Sequence, residues 1–388
     1  MEILFVSHKY PPAVGGMEKQ SLELITGMGK IAKVHALVYE GKGSRLGFFI
    51  SLEKRIMRIL ESFPSISIIH FNDALIATVS LRHKRYNHIK RVVTVHGLDI
   101  VFPSTRYQKL ILPKFNRFDL IIAVSDATAK ACVDRGIDKK KVVTICNGVD
   151  HKLAITGSQD LFLSYFREKY GLNLIGKTIL LAIGRPVKRK GFSWFLENVM
   201  PGVHGNFIVL FVGPFDFKRP WKDILWEFCP ENIKNKLQLM FGYPSDENNL
   251  RHQLHKHELK NKVLHLGKLP QADLEMILHH SDGFIMPNIP VEGDMEGFGL
   301  VCLEASLAGN WVFASNIEGI TSAVHNEKNG TLLPTLDSQA WTQALNDFIE
   351  NPDIFNSVQA PDYTAQNFGW DKMVRQYYEH FCALQEKE

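Results

Sequence analysis

Glu296-Gly297-Phe298-Gly299-Leu300-Val301-Cys302-Leu303-Glu304-Ala305 follows an apolar run ending at Met286 and opens a helical pattern. It reads as the strand-to-helix turn of a parallel β/α unit. Its two glutamates have seven residues between them, about two helical turns. Gly297 and Gly299 carry no side chain, so backbone N–H groups there approach a ligand closely. The free N–H groups and positive dipole end of the helix that follows favour an anion. A carboxylate on the turn and another on the helix accept hydrogen bonds from hydroxyls. The whole string suits a ligand carrying both phosphate and sugar. One such glutamate alone would read as an ordinary turn with its acid in solvent.

The same alternation runs outward in both directions. Residues 3–6, 33–38, 66–71, 92–95, 120–124 and 142–146 read as buried strands, with helices near 17–28, 54–60 and 127–135 between them. A second series has strands at 178–183, 207–212, 263–266, 283–286 and 311–314, and helices near 192–199, 273–280 and 300–308. The expectation is α/β: two doubly wound, Rossmann-like domains in tandem, with no short repeat and no low-complexity linker. The stretch 150–176 connects them, and the domains are set at 1–155 and 156–369. Open parallel sheets bind ligands beyond the C-terminal ends of their strands, so a cleft between two facing sheets is the expected active site.

Other turns at strand ends carry chemistry of the same kind. Gly184-Arg185-Pro186-Val187-Lys188-Arg189-Lys190-Gly191 puts four cations on one loop, enough to neutralise a diphosphate. Pro11-Pro12-Ala13-Val14-Gly15-Gly16-Met17-Glu18 follows the first strand, and its two glycines enter a helix as a phosphate-approach loop would. Val95-His96-Gly97-Leu98-Asp99 sets a histidine at a strand tip, where it is either structural or at the reaction centre. Asn147-Gly148-Val149-Asp150 taken alone is an ordinary turn.

Composition excludes several classes. The chain has 388 residues, 45% apolar and 22% charged, which suits a folded protein of two or three domains. Its five cysteines form no C-x-x-C pair, so a disulfide framework and a cysteine zinc site are not expected, and a reducing cytoplasm is. No signal peptide and no apolar run of about 20 residues is legible. Residues 1–170 carry 26 Lys and Arg against 15 Asp and Glu, a balance of +11, and the remainder carries −7 of the overall +4. The basic half points to an anionic membrane or acceptor, and no nucleic-acid-binding signature is present. Within it, residues 42–60 combine Lys42, Arg45, Lys54, Arg55 and Arg58 with Leu46, Phe48, Phe49, Ile50, Leu52, Ile56, Met57, Ile59 and Leu60. That segment reads as basic and amphipathic, able either to dock on anionic lipid or to pack on the sheet.

Taken together, P-P-x-x-G-G-x-E, V-H-G-x-D, V-S-D at 124–126, N-G-V-D, G-R-x-x-x-x-K-G and E-G-F-G-x-x-x-x-E resemble the retaining nucleotide-sugar glycosyltransferases of family 4. The resemblance spans nearly the whole chain in the family's order. It implies the GT-B architecture, with a helix at about 370–388 packing back on the first domain. It also implies that Arg185 and Lys190 hold the diphosphate of a UDP- or GDP-linked sugar and stabilise the leaving nucleotide. Glu304 would bind the ribose, and Glu296 with the backbone of Gly297, Phe298, Gly299 and Leu300 would hold sugar and phosphate. Gly15 and Gly16 would close onto the diphosphate, and His96 would lie by the anomeric carbon with Asp99 near it. The backbone around Lys268 and Leu269 would meet the nucleobase. The resemblance further implies hexosyl transfer without metal or other cofactor, to a glycan or lipid-linked acceptor, as in cell-envelope polysaccharide synthesis. The first domain offers no obvious nucleophilic carboxylate, so a two-carboxylate glycosidase scheme does not map well; the resemblance implies a front-face route.

Three features depart from the pattern. Glu292-Gly293 duplicates the E-G pair, but only Glu296 stands at the right gap from Glu304. Gly309-Asn310-Trp311-Val312 lacks the family's usual proline, and residues 216–248 look like an insertion with packing aromatics. The rival readings are a catalytically silent nucleotide-sugar binder on the same fold, and a dinucleotide oxidoreductase using Glu40 at the end of the second strand. The second lacks the glycine fingerprint.

Overall fold

The computed structural model describes residues 1–151, 157–215, 239, 244–355 and 359–386. They divide into two compact units: Met1–Val149 with Met295–Leu300 and Asn367–Glu388, and Asp150–Asp294 with Val301–Gln366. Most of the proposed insertion, including Trp221, Trp226 and Pro230, lies outside the described residues.

The first unit is built on β1 (Glu2–Ser7), β2 (Lys33–Val38), β3 (Ile68–Phe71), β4 (Lys90–Val95), β5 (Leu120–Ala123) and β6 (Val142–Thr144). These pair in parallel in the order β2-β1-β3-β4-β5-β6. β1 and β3 are buried along their whole length, as continuous apolar runs in a sheet covered on both faces require. The order reverses between β1 and β3, so the loops leaving those two strands diverge and leave a crevice there.

Helix α1 (Gly16–Met28) covers one face. Against it packs the helix Trp370–Gln385, which buries Trp370, Met373, Val374, Tyr377 and Phe381 at helical spacing with Ile3, Phe5, Leu24 and Met28. The Tyr377 hydroxyl accepts from Gln20 at 3.3 Å and bonds Thr94 at 2.9 Å, so the buried phenol is satisfied. The N-G-V-D segment is where this helix joins. The Val149 N–H donates to Phe368 O at 2.6 Å, and a Cβ on Gly148 would lie 2.6 Å from the Trp370 backbone. A close backbone approach explains that motif's glycine.

The basic segment forms α2 (Arg45–Ile50) and α3 (Leu52–Ser62). Of the two alternatives, packing takes up much of the apolar face: Phe48, Leu52, Ile56 and Leu60 are part of the core. Each such side chain contributes roughly 1.5–3 kcal/mol by burial. Leu46 and Ile50 remain 69% and 77% exposed, beside exposed Arg45, Lys54, Arg55 and Arg58.

The second unit contains β7 (Thr178–Ile183), β8 (Phe207–Val212), β9 (Val263–His265), β10 (Gly283–Met286), β11 (Trp311–Ser315) and β12 (Gly330–Leu333). They form a parallel sheet in the order β12-β11-β10-β7-β8-β9. Here the order reverses between β7 and β10. Sequence reading had no strand at β12, because Gly-Thr-Leu-Leu is too short to show a period. The missing proline is replaced by a buried cap. Asn310 Nδ2 donates to Leu278 O at 2.6 Å and Ala305 O at 3.2 Å, closing the ends of two helices before β11.

Candidate functional site

In the second unit the two loops flanking the reversal point are 184–191 after β7, singled out by sequence, and 287–294 after β10, which leads to the Glu296 motif. They are tied together: Ile289 N–H donates to Arg189 O at 2.9 Å, and Arg189 Nε lies 3.7 Å from the buried Asp294 carboxylate. Arg189 is therefore engaged with Asp294. Lys190 is only 8% exposed, its aliphatic stem running beside Gly184, whereas Arg185 is exposed. A strap holds the loop from behind. Lys188 N–H donates to Pro244 O and Asp246 N–H to Pro186 O, each at 2.8 Å. Asp246 in turn accepts from Ser193 Oγ at 2.6 Å and Ser193 N at 3.1 Å, and desolvation raises its pKa.

Sequence reading missed the neighbouring turn. Gly213, directly after β8, packs so tightly on the β7 loop that a Cβ there would sit 2.0 Å from Gly184 O. Its N–H donates to Gly267 O at 3.0 Å. Gly184, Gly213 and Gly267 thus form a side-chain-free backbone shelf at the C-terminal ends of β7, β8 and β9. The signal was available, since Gly213 ends an apolar run as Gly184 does. Lys268 beside the shelf is exposed, and Leu269 is half-buried against the core.

Glu296 to Gly299 have no regular secondary structure, and the helix Leu300–Leu307 begins immediately after them. Glu296 and Glu304 are both half-buried. Sequence reading placed both in the second domain; by contact, Met295–Leu300 belongs to the first unit and Val301–Gln366 to the second. Phe298 is buried, its ring 6.4 Å from Phe368, so only its backbone is available to a ligand.

In the first unit the structure brings several expected residues together. A Cβ on Gly297 would lie 2.0 Å from His96 O, so the His96-Gly97 and Gly297 backbones touch. A Cβ on Gly16 would lie 3.1 Å from Leu300 Cδ1, and one on Gly15 would strike Glu18. His96 Nε2 donates to Asn72 O at 2.9 Å. Asp99 accepts from His96 N at 2.9 Å and Ala74 N at 3.3 Å, and desolvation raises its pKa against the pull of His96. Both Asp99 oxygens thus accept backbone N–H groups, one of them from His96.

At the β1/β3 reversal lies a pair that sequence reading missed. His8 Nδ1 is 2.8 Å from Asp73 Oδ2, and Asp73 caps helix α4 (Ala74–Ser80) by accepting from Leu75 N and Ile76 N at 2.9 and 3.0 Å. Burial raises the Asp73 pKa, but His8 and the cap outweigh it and hold the carboxyl below its ordinary value. Among the described residues no group of three or more His, Cys, Asp or Glu is placed to hold a metal ion. No described helix is long and apolar enough to cross a membrane.

Comparison with known proteins bears on both units. Residues 166–368 match the family Glycosyl transferases group 1, and residues 9–153 match Glycosyltransferase Family 4. The putative colanic acid biosynthesis glycosyltransferase WcaL of Salmonella typhimurium is 24% identical, over 80% of this chain and 68% of that protein. The phosphatidyl-myo-inositol mannosyltransferase of Mycobacterium leprae is 28% identical over 43% of this chain and 44% of that protein. The crystal structure of Anabaena Alr3699/HepE in complex with UDP and glucose has a TM-score of 0.73 at 20% identity, covering 99% of this chain and 100% of that one. At that identity the likeness establishes the shared fold.

Proposed function

Because the chain belongs to the glycosyl transferases group 1 family, with its first half in glycosyltransferase family 4, we propose that it transfers a hexosyl unit with retention from a UDP- or GDP-linked sugar to an acceptor hydroxyl. The observation that carries this reading is the reversal point of the second sheet. There Lys190, Arg185 and a side-chain-free shelf occupy adjoining strand ends.

Lys190 and Arg185 bind the diphosphate and stabilise the charge that develops on it as the glycosidic bond breaks. Glu304 accepts hydrogen bonds from the ribose, and the turn at Lys268 and Leu269 meets the base. Glu296 and the backbone of Gly297, Phe298, Gly299 and Leu300 hold the sugar. His96, fixed by Asp99 and Asn72 O, serves the anomeric end, and Gly15 and Gly16 approach the phosphates. The departing phosphate oxygen takes the proton of the attacking hydroxyl, so the new bond forms on the face the nucleotide leaves. The protein contributes positioning and charge, and cations with a helix N-terminus do the work a divalent metal would otherwise do.

The Anabaena complex with UDP and glucose supports a nucleotide-sugar donor, and the colanic acid and phosphatidyl-inositol relatives support a glycan or lipid-linked acceptor of the cell envelope. The test is a thermal-shift screen of UDP- and GDP-sugars, then turnover with and without excess EDTA and NMR of the product anomer. One donor stabilises the protein, slow nucleotide release occurs without acceptor, EDTA leaves turnover unchanged, and the anomeric configuration is kept. A donor that binds and is never turned over would identify a silent binder. Activity abolished by EDTA and restored by magnesium would overturn the metal-free mechanism.

The site of action is proposed as the inner membrane face in the cytoplasm, with α2 and α3 as the contact. Leu46 and Ile50 protrude from helices that carry four exposed cations, each worth about 1 kcal/mol near an anionic surface. Flotation with anionic vesicles at low salt recovers the protein, and Leu46→Ser/Ile50→Ser reduces recovery. Equal flotation with neutral vesicles would count against the electrostatic reading.

A further inference from the structure

We propose that His265 is a positioning residue that shapes the turn 266–269 for the base of a nucleoside diphosphate. The proposal rests on the donor reading above and adds a residue to it. β9 ends at His265, and its buried ring stacks on Phe215, with centroids 4.3 Å apart and planes at 23°, and lies parallel to Phe211 at 6.2 Å. Its Nδ1 accepts the Gly267 N–H at 3.0 Å, while Gly267 O accepts the Gly213 N–H at 3.0 Å. The Gly267 residue is therefore held on both sides, by the imidazole and by the shelf.

An imidazole accepting at Nδ1 carries its proton on Nε2. Burial lowers the His265 pKa to about 4, so the acceptor persists at neutral pH. The two neighbouring phenylalanine rings lie nearly parallel to the imidazole, an arrangement that phenylalanine at 265 would keep. The imidazole adds a hydrogen-bond acceptor aimed at the first peptide of the turn. Backbone groups that read a base edge must be placed to within a fraction of an ångström, and an anchored Gly267 sets where Lys268 and Leu269 begin. A shift there costs base recognition first and leaves the diphosphate contacts at 184–191 in place.

The test uses the full chain and two variants. His265→Phe keeps the stack and removes the acceptor; His265→Asn offers an oxygen near the Nδ1 position and gives up the stack. Calorimetry with UDP, GDP and ADP, and with pyrophosphate as a base-free probe, reads the two ends of the site separately. In His265→Phe the preferred nucleoside diphosphate binds about tenfold more weakly, the scale of one lost hydrogen bond. Discrimination among bases narrows, donor KM rises with kcat near wild type, and pyrophosphate affinity and Tm stay unchanged. His265→Asn recovers most of the discrimination. A His265→Phe protein with wild-type affinity and discrimination overturns the proposal, as does a loss that pyrophosphate shares equally. A wild-type protein that binds none of the three nucleotides refutes the donor reading itself, and the role of His265 falls with it.

Discussion

Lys190→Ala lowers glycosyl transfer by about 10²–10³-fold, with Arg185→Ala in the same range, as removal of a transition-state charge partner does elsewhere. The two variants differ in how they reach that loss. Arg185 is exposed, so its removal leaves Tm untouched. Lys190 is buried along Gly184, and its stem packs, so truncation also lowers Tm by a few degrees. Lys190→Met separates the two effects, because it restores the stem without the charge: Tm recovers and turnover does not. Arg189→Ala is the contrasting case. Its guanidinium faces Asp294, and its loss leaves a buried carboxylate with one partner fewer, so stability falls more than catalysis. Steady-state turnover and thermal melts of the four proteins check the set. Full activity in Lys190→Met would remove this loop from the mechanism.

Gly297→Ala is expected to cost activity on the order of 10²-fold through geometry alone. Its Cβ would lie 2.0 Å from His96 O, a backbone atom that cannot swing aside. The Glu296-Gly297 turn and the His96-Gly97 tip must part, and His96 loses its setting against Asp99 and Asn72. Gly47→Ala is the matched control: it lies in α2, its nearest neighbour would be Ser44 Cβ at 3.5 Å, and activity stays at wild type. Comparing kcat/KM of the two variants, with circular dichroism to verify folding, decides the point. Wild-type activity in Gly297→Ala would mean that the contact has no catalytic consequence.

The doubly wound architecture could be read in advance because its strands are runs such as Ile3-Leu4-Phe5-Val6 and Phe207 to Val212, apolar throughout and separated by helical patterns. β12 escaped because two apolar residues after Gly-Thr leave no pattern to read. The loops at Arg185 to Lys190 and after β10 could be placed at strand ends in advance, because cations and glycines interrupt the apolar runs there. What escaped is pairing across long sequence distance. Arg189 meets Asp294, more than a hundred residues on, and nothing in the local sequence announces that pair. His8 and Asp73 are unremarkable until β1 and β3 lie side by side. His265 reads as one more residue of a strand until its ring is seen to accept from Gly267.

The helix Trp370–Gln385 completes the first unit although some 220 residues of chain intervene after Val149. On a ribosome adding about 5–20 residues per second, those residues take on the order of ten to forty seconds to appear. During that interval Ile3 and Phe5 of β1 and Leu24 and Met28 of α1 form an apolar surface whose second covering helix does not yet exist. The second unit has its whole sequence available before the first can close. Order of synthesis and order of completion are therefore inverted in this chain. The nascent protein carries an apolar face that a chaperone, or a neighbouring nascent copy, meets before its own helix does.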